Sequence, residues 1–459
     1  MGATAAVSGA LTPARATHLR VARRRRPWLS YFVLIALFAA LGPYDIHNRA
    51  DHEEIQEGGP RVLKMAATGE GQNIEEGNIA RRLAVLALGA FAATLLLRAR
   101  RRGQLSAIVP FRERPLSDQI MTASVVGYLA VAAASVAWAE EPGLAARRVF
   151  VFLVLCLTAY ALARVWSLAD FMIFVIVACG AMLMGSLALD VVHHDFHPLA
   201  SDYRLAGLTH PNSHAIEAAA LVIAAVWARR LEPERRKMYA AIAFGGVVLI
   251  LLTRSRTSLV GLVIGLVAVP VLMLRKRTAV LTAMAGVGAL IVVAVYLPEI
   301  VQSVQHALLL GRSQETADVG TLTGRTDLWK ALLLYIDKRP LLGYGYDAFW
   351  TADHVEAVTL DQGWLVSHAH NSYIETALNL GWLGMGAFVV SVFAGIWAAA
   401  RRVLASRAEP QVAFALTALV WLAASMMTEA IMPQTHYGSL VGMTVLAWLI
   451  ISGGVRRAA

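Results

Sequence analysis

The chain is a succession of apolar runs, many close to the length of a bilayer crossing, separated by short polar segments. A helix needs about 20 predominantly apolar residues to cross the hydrocarbon core. In lipid, every backbone N–H and C=O must also be paired internally. The expected fold is therefore an all-α polytopic membrane protein with about 12 transmembrane helices. The runs lie at 27–43, 82–98, 119–138, 149–164, 169–190, 213–228, 238–253, 257–274, 279–297, 373–400, 411–428 and 437–453. Residues 1–459 read as a single integral membrane domain. Composition agrees, with 58% hydrophobic and only 16% charged residues, against about 25% charged in soluble domains.

A net charge of +10 is of the sign that nucleic acid attracts, but we expect no such partner. Lys and Arg concentrate on alternate connecting segments, which marks those segments as cytoplasmic. Both termini then lie inside. The basic stretch Arg23–Arg26 precedes the first run with no small-residue cleavage site behind it, so that run reads as a span rather than a removed signal. Cys156 and Cys179 fall inside apolar runs and read as buried free thiols.

This orientation leaves three long segments on the outer face. Residues 44–81 are acidic and Gly-rich and read as a solvated loop. Residues 191–212 carry several histidines. Residues 298–372 form the largest outer loop. Within it, Leu328, Leu332, Tyr335 and Ile336 recur at helical spacing over Gly324–Lys338, predicting an amphipathic helix on or over the membrane face.

Four outer constellations can carry chemistry. Arg254 and Arg256 flank Ser255 at the break between two spans and have no acidic neighbour in sequence. Arginine's planar fork suits a phosphate bidentately; the competing reading is anchoring to headgroups. Thr323-Gly324-Arg325-Thr326 opens the amphipathic helix, with Thr323 as a candidate N-cap at an end that favours anions. Ser367–Glu375 contains His368, His370 and Asn371, and Ser372 and Glu375 have capping-box spacing at the start of the tenth span. The positive end of that helix disfavours imidazolium, so His370 is expected to be neutral, as a general base must be. Asn371 is a candidate to orient the ring or a substrate hydroxyl.

The fourth constellation runs from Tyr203-Arg204 to His210-Pro211-Asn212-Ser213. Arg204 is a third outer arginine near a span, and Asn212 or Ser213 can cap that span. Glu217 lies inside the span and is a candidate by default, unless it pairs with His214. His193, His194 and His197 fit no standard zinc spacing and read as structural or solvated. We expect no metal site and no cofactor. There is no Asp-x-Asp and no phosphate-binding glycine loop, so an outer-face enzyme would need an already activated substrate.

In chain order, these motifs are a Ser-Arg-Thr at a span edge, a Thr-Gly-Arg in a large late loop, Gly343-Tyr344-Gly345, then His370-Asn371, nine residues, and Gly381-Trp382-Leu383-Gly384. The pattern resembles the bacterial O-antigen ligase family, in the superfamily shared with O-antigen polymerases and protein O-oligosaccharyltransferases. The resemblance implies a GT-C-like fold and an inverting, metal-independent glycosyl transfer at the periplasmic face of the inner membrane. It implies undecaprenyl pyrophosphate as the glycan carrier and lipid A–core as the acceptor. It further implies catalytic roles for His370, Arg256 and Arg325; from the residues themselves, Arg254, Arg204, Asn371, Thr323 and His368 are expected at the substrate. Gly381 and Gly384 would allow close helix approach in the tenth span. A polymerase or a protein glycosyltransferase would share the donor site. A glycolipid transporter would instead want charges near the bilayer midplane.

Overall fold

A computed structural model describes residues 27–41, 79–105, 109–198, 203–274, 325–364, 366–432 and 437–453. The described residues hold thirteen α-helices and no strand: α1 Trp28–Leu41, α2 Ile79–Arg101, α3 Leu116–Ala134, α4 Pro142–Val165, α5 Leu168–Val192, α6 Pro211–Leu231, α7 Arg236–Thr253, α8 Arg256–Met273, α9 Arg325–Lys338, α10 Ala352–Gln362, α11 Ser372–Ser406, α12 Pro410–Ser425 and α13 Tyr437–Ser452. Helices occupy eleven of the twelve expected spans; the ninth, 279–297, lies outside the described residues. Seven helices are long and apolar enough to cross a membrane, and α1, α12 and α13 are shorter but apolar. The chain is an all-α polytopic membrane protein.

α6 sits at the centre. It is buried around its whole circumference, from His214 through Ala225 and again at Trp227 and Ala228, and it packs against α5, α7, α8, α12 and α13. Its inner position explains how it tolerates polar residues. Glu217 does pair with His214, with Oε2 3.0 Å from Nδ1. The other ring nitrogen lies 2.8 Å from Ser186 Oγ and 2.6 Å from the Ala206 carbonyl. The pair thus pins the segment before α6. Cys179 is buried, Cys156 is half-buried, and both are free.

Close helix approach occurs, but not at the expected glycines. On α8, Gly261 and Gly265 meet α12. A Cβ on Gly265 would stand 2.7 Å from Trp421 Cβ, and one on Gly261 would strike Ser425 Oγ. Small residues four apart let two backbones touch. Gly381 does something else. Its φ of 63° and ψ of −170° break α11 into two helices. Gly384 faces its own helix, where a Cβ would strike Leu380.

The break in α11 receives the Gly343–Gly345 turn. Tyr344 N–H donates to the Leu378 carbonyl at 2.9 Å, Gly345 N–H to Asn379 at 2.8 Å, and Trp382 N–H to Pro340 at 2.7 Å. These bonds satisfy backbone groups that the break leaves unpaired. The two glycine motifs are therefore one structural joint. It holds the late loop on the bundle, helped by an Arg339–Glu140 ion pair at 2.7 Å and an Arg148–Asp347 pair at 3.6 Å.

α9 appears where the periodicity predicted. Leu328, Leu332 and Ile336 are fully buried and Tyr335 is half-buried. They pack with Phe349, Trp350, Val366, Ala369 and Leu378 into a small second core. The apolar side of α9 therefore turns into protein rather than onto a membrane face.

Candidate active site

Four separate segments meet at one end of the bundle, and each brings a polar group. α6 begins there. α11 begins there. α12 ends there and runs on to Glu429. α9 begins there with Arg325. The backbone ties them: Ser372 N–H donates to the Met426 carbonyl at 2.9 Å, and Ser372 Oγ donates to the Glu429 carbonyl at 3.0 Å.

His370 stands immediately before α11 with φ of 48°. A left-handed backbone is uncommon for a residue other than glycine and marks a position held by its surroundings. The holding groups are visible. Ala369 N–H donates to Glu375 Oε2 at 2.7 Å, and the Ala369 carbonyl accepts from Trp329 Nε1 at 2.9 Å. Trp350 Nε1 also donates to Glu375 at 2.7 Å.

This corrects the capping-box expectation. Glu375 is turned into the protein to anchor the histidine segment. The N-cap is Asn371, whose Oδ1 accepts from Tyr373 N–H at 2.9 Å and Ile374 N–H at 3.1 Å. Its Nδ2 donates to the Met427 carbonyl at 2.9 Å. Asn371 thus joins α11 to the end of α12 and places His370. Ser372 is one residue inside the helix, so it binds the Glu429 segment instead of capping.

The His370 side chain is 16% exposed. Burial, then the Arg325 guanidinium, push its pKa down to about 3. The ring is neutral as expected, but the main cause is loss of water around it rather than the helix terminus. His368 stands edge-on at 3.9 Å between ring centroids. Burial first, and His370 next, also bring His368 to about 3. Trp364 closes another side at 5.6 Å from the His370 ring.

Arg325 reaches the same place from α9. One terminal nitrogen donates to Glu429 Oε1 at 2.9 Å and the other to the Thr428 carbonyl. Glu429 Oε2 lies 3.8 Å from His370 Nδ1. Arg204 enters through Asn212. It donates to Asn212 Oδ1 at 3.0 Å and to the Thr253 carbonyl at 3.0 Å, and Asn212 Nδ2 donates to Glu429 Oε1 at 2.9 Å. A hydrogen-bonded path therefore runs from the α7 terminus to Glu429, whose other oxygen stands 3.8 Å from His370.

Arg254 and Arg256 lie at this same end. Arg254 closes α7 in the left-handed region, with φ of 53°, and Arg256 opens α8. α8 then runs past Gly261, which touches Ser425 four residues before Glu429. Both arginines are half-buried, and Ser255 between them is buried with its Oγ on Ser258 Oγ at 3.0 Å. Thr323 lies outside the described residues, so its capping role does too.

The cap of α6 is neither Asn212 nor Ser213 but His210, whose Nδ1 accepts from Asn212 N–H at 3.2 Å. Asn212 cannot cap because its side chain is committed to Glu429. His193, His194 and His197 are exposed, and among the described residues no three His, Cys, Asp or Glu side chains gather as a metal would require.

Sequence reasoning missed Glu429. Its signal was available: a lone carboxylate just past the outer end of an apolar run, where an uncompensated charge is costly. His210 was within a quoted motif but was not singled out. It lies within electrostatic reach of Arg204, Glu429, His370 and His368.

Comparison with known proteins agrees with the motifs. Residues 239–389 match the family model described as O-Antigen ligase. That stretch contains Arg254, Arg256, Arg325, His368, His370, Asn371 and the glycine joint, but not Arg204 or Glu429. The chain is also 24% identical over 334 residues to the exopolysaccharide production protein ExoQ of Rhizobium meliloti (strain 1021), covering 69% of this chain and 74% of the relative. These similarities support a glycosyltransferase of the O-antigen ligase and polymerase type, working on lipid-linked glycans in a membrane.

Proposed function

We propose that this chain, whose residues 239–389 belong to the O-antigen ligase family, is an O-antigen ligase of the bacterial inner membrane with both termini in the cytoplasm. It takes a glycan from undecaprenyl pyrophosphate and joins it, with inversion, to a sugar hydroxyl of lipid A–core at the periplasmic face. The observation that carries the reading is the meeting of Arg325 and His370 on one carboxylate, Glu429. A fixed cation and a neutral imidazole side by side are what glycosyl transfer from a pyrophosphate needs.

Each residue has a role. His370 takes the proton of the acceptor hydroxyl. The hydroxyl oxygen bonds to the anomeric carbon as the bond from that carbon to the pyrophosphate oxygen breaks. The leaving pyrophosphate keeps the electron pair, and Arg325 and Arg256 balance its charge, with Arg254 beside them. Pre-placed cations stabilise such charge without reorganising at the moment of reaction. Thr323, just before Arg325, joins the donor phosphates. His368 faces the acceptor side of His370. Asn371 and Arg204 act by placing the groups that touch substrate, because their side chains hold Met427, Asn212 and Thr253. No metal or cofactor has a part in this scheme.

A second reading has one observation in its favour. The relative ExoQ is named for exopolysaccharide production, which favours a polymerase-type acceptor, a second lipid-linked glycan. The same donor site serves both. The deciding experiment offers purified protein one lipid-linked donor with three acceptors in parallel: lipid A–core, a second lipid-linked glycan and a Ser/Thr peptide. Product on lipid A–core supports the ligase. Product on the second glycan alone supports the polymerase, and product on the peptide alone refutes both.

A further inference from the structure

Glu429 has no role in the scheme above beyond its position, yet it binds Arg325 and stands 3.8 Å from His370. Its side chain is 9% exposed. Its backbone is fixed, because Ser372 Oγ donates to the Glu429 carbonyl at 3.0 Å and accepts from Ile431 N–H at 2.9 Å. The two carboxylate oxygens face different partners. Oε1 takes Arg325 and Asn212, each at 2.9 Å. Oε2 looks toward His370 Nδ1 at 3.8 Å, an atom that is buried with no hydrogen-bond partner.

A carboxylate is a strong acceptor, and a buried ring nitrogen without a partner is costly. The missing bond is only a short movement away. In the arrangement described, Arg325 neutralises Glu429 and its charge also opposes protonation of His370. The other groups near the ring are the neutral His368, the Trp364 ring, and His210 from the segment before α6, which itself stands beside Arg204. Only Glu429 supplies negative charge there among these groups.

We propose that Glu429 is a positioning residue that couples donor binding to the strength of the base. It rests on the roles given above to Arg325 and His370. The donor's pyrophosphate draws the Arg325 fork off Oε1. Asn212 keeps that oxygen bonded, and Oε2 closes on the Nδ1–H of His370. This fixes the tautomer that leaves Nε2 open to the acceptor's proton and stabilises the imidazolium as it forms, the logic by which an acid orients a catalytic histidine. Before donor arrives, the base is weak and neither water nor acceptor is activated.

The test is titration of His370 by 15N-histidine NMR on the whole protein in lipid nanodiscs, with and without farnesyl pyrophosphate. The resonance is assigned by its loss in His370→Gln. In the parent protein the probe should raise the His370 midpoint by about one unit or more, a tenfold gain in proton affinity. In Glu429→Gln the rise should be less than half as large, since the amide cannot supply the charge. Equal rises in both proteins would mean that the probe acts directly on the ring, and would overturn the coupling.

Kinetics give an independent reading. Glu429→Gln should lower kcat by about 10²–10³-fold, a tautomer-type loss, with donor KM within about threefold. Glu429→Asp should recover much of it. Unchanged kcat in Glu429→Gln overturns the proposal and leaves the reading of Arg325 and His370 standing. If farnesyl pyrophosphate fails to bind the parent protein, the donor-site reading falls, and this inference with it. Should Glu429→Gln not fold, the parent titration decides alone, and an unmoved midpoint overturns the coupling.

Discussion

Gly343 packs so closely on Gly381 that a side chain on Gly343 would strike the Gly381 backbone. A Cβ on Gly343 would stand 2.5 Å from the Leu378 carbonyl oxygen and 2.6 Å from the Gly381 nitrogen, and a Cβ on Gly381 would strike the Leu341 carbonyl. Both have positive φ, 65° and 63°. The joint is what fastens the loop carrying Tyr344–Trp350 to the helix that begins beside His370.

Gly381→Ala should therefore destabilise the protein by about 2–4 kcal/mol, combining left-handed strain with a backbone clash. Gly386 lies in the same helix with nothing within 4 Å of its would-be Cβ. Gly386→Ala should stay within about 0.5 kcal/mol. Thermal unfolding of both variants in one detergent checks this. Equal melting temperatures would show that the joint is not under the constraint described.

Arg256→Lys and Arg325→Lys should both be severely impaired in transfer although charge is retained. Arg325 uses both terminal nitrogens at once, on Glu429 and Thr428, and a single ammonium cannot present that fork to a pyrophosphate. Steady-state transfer by the purified variants is the measurement. If both Lys variants work like the parent, the arginines only anchor the protein to headgroups.

The pH profile follows from the His370 value of about 3. A depressed histidine stays neutral as pH falls, so kcat/KM, which reports the free enzyme, should lose less than about twofold through His370 between pH 7 and pH 4.5. An ordinary histidine would begin to fail near pH 6.5. The sign for stability is the reverse of a benefit. His368 and His370 are neutral when folded but protonate at ordinary values when unfolded, so stability present above about pH 6.5 drains away as pH falls toward 3. An acid limb of kcat/KM centred near 6.5 that vanishes in His370→Gln would contradict the burial argument.

Transfer should proceed fully in excess EDTA without added divalent ions. Arg254, Arg256 and Arg325 gather at one end of the bundle, where they can balance a pyrophosphate that elsewhere is often neutralised by Mg²⁺. Activity lost on chelation and restored by one specific ion would refute the arginine-only scheme.

The helices were legible because an apolar run of about 20 residues satisfies its own backbone in lipid as a helix, and α9 because Leu328, Leu332 and Ile336 recur at helical spacing. His370 and Arg325 were legible as motifs. What joins them was not. Glu429 lies 59 residues beyond His370 in the chain, and no local pattern announces that α12 ends against the start of α11. The capping box failed for a related reason. Glu375 has the right spacing, but Trp350 and the Ala369 backbone offer it a buried site, and tertiary partners outweigh a local cap. The glycines at 381 and 384 resembled a helix-packing pair, whereas the real one, Gly261 and Gly265, went unremarked in a uniformly apolar run.

The central claim is that His370 is the base of a glycosyl transfer whose donor is held by other groups. The most direct measurement is single-turnover transfer from an undecaprenyl-pyrophosphate glycan to lipid A–core by the parent protein and by His370→Ala, with donor binding measured on the same samples. The account predicts donor affinity within about threefold and a transfer rate lower by about 10²–10⁴-fold. Near-normal turnover in His370→Ala would contradict it.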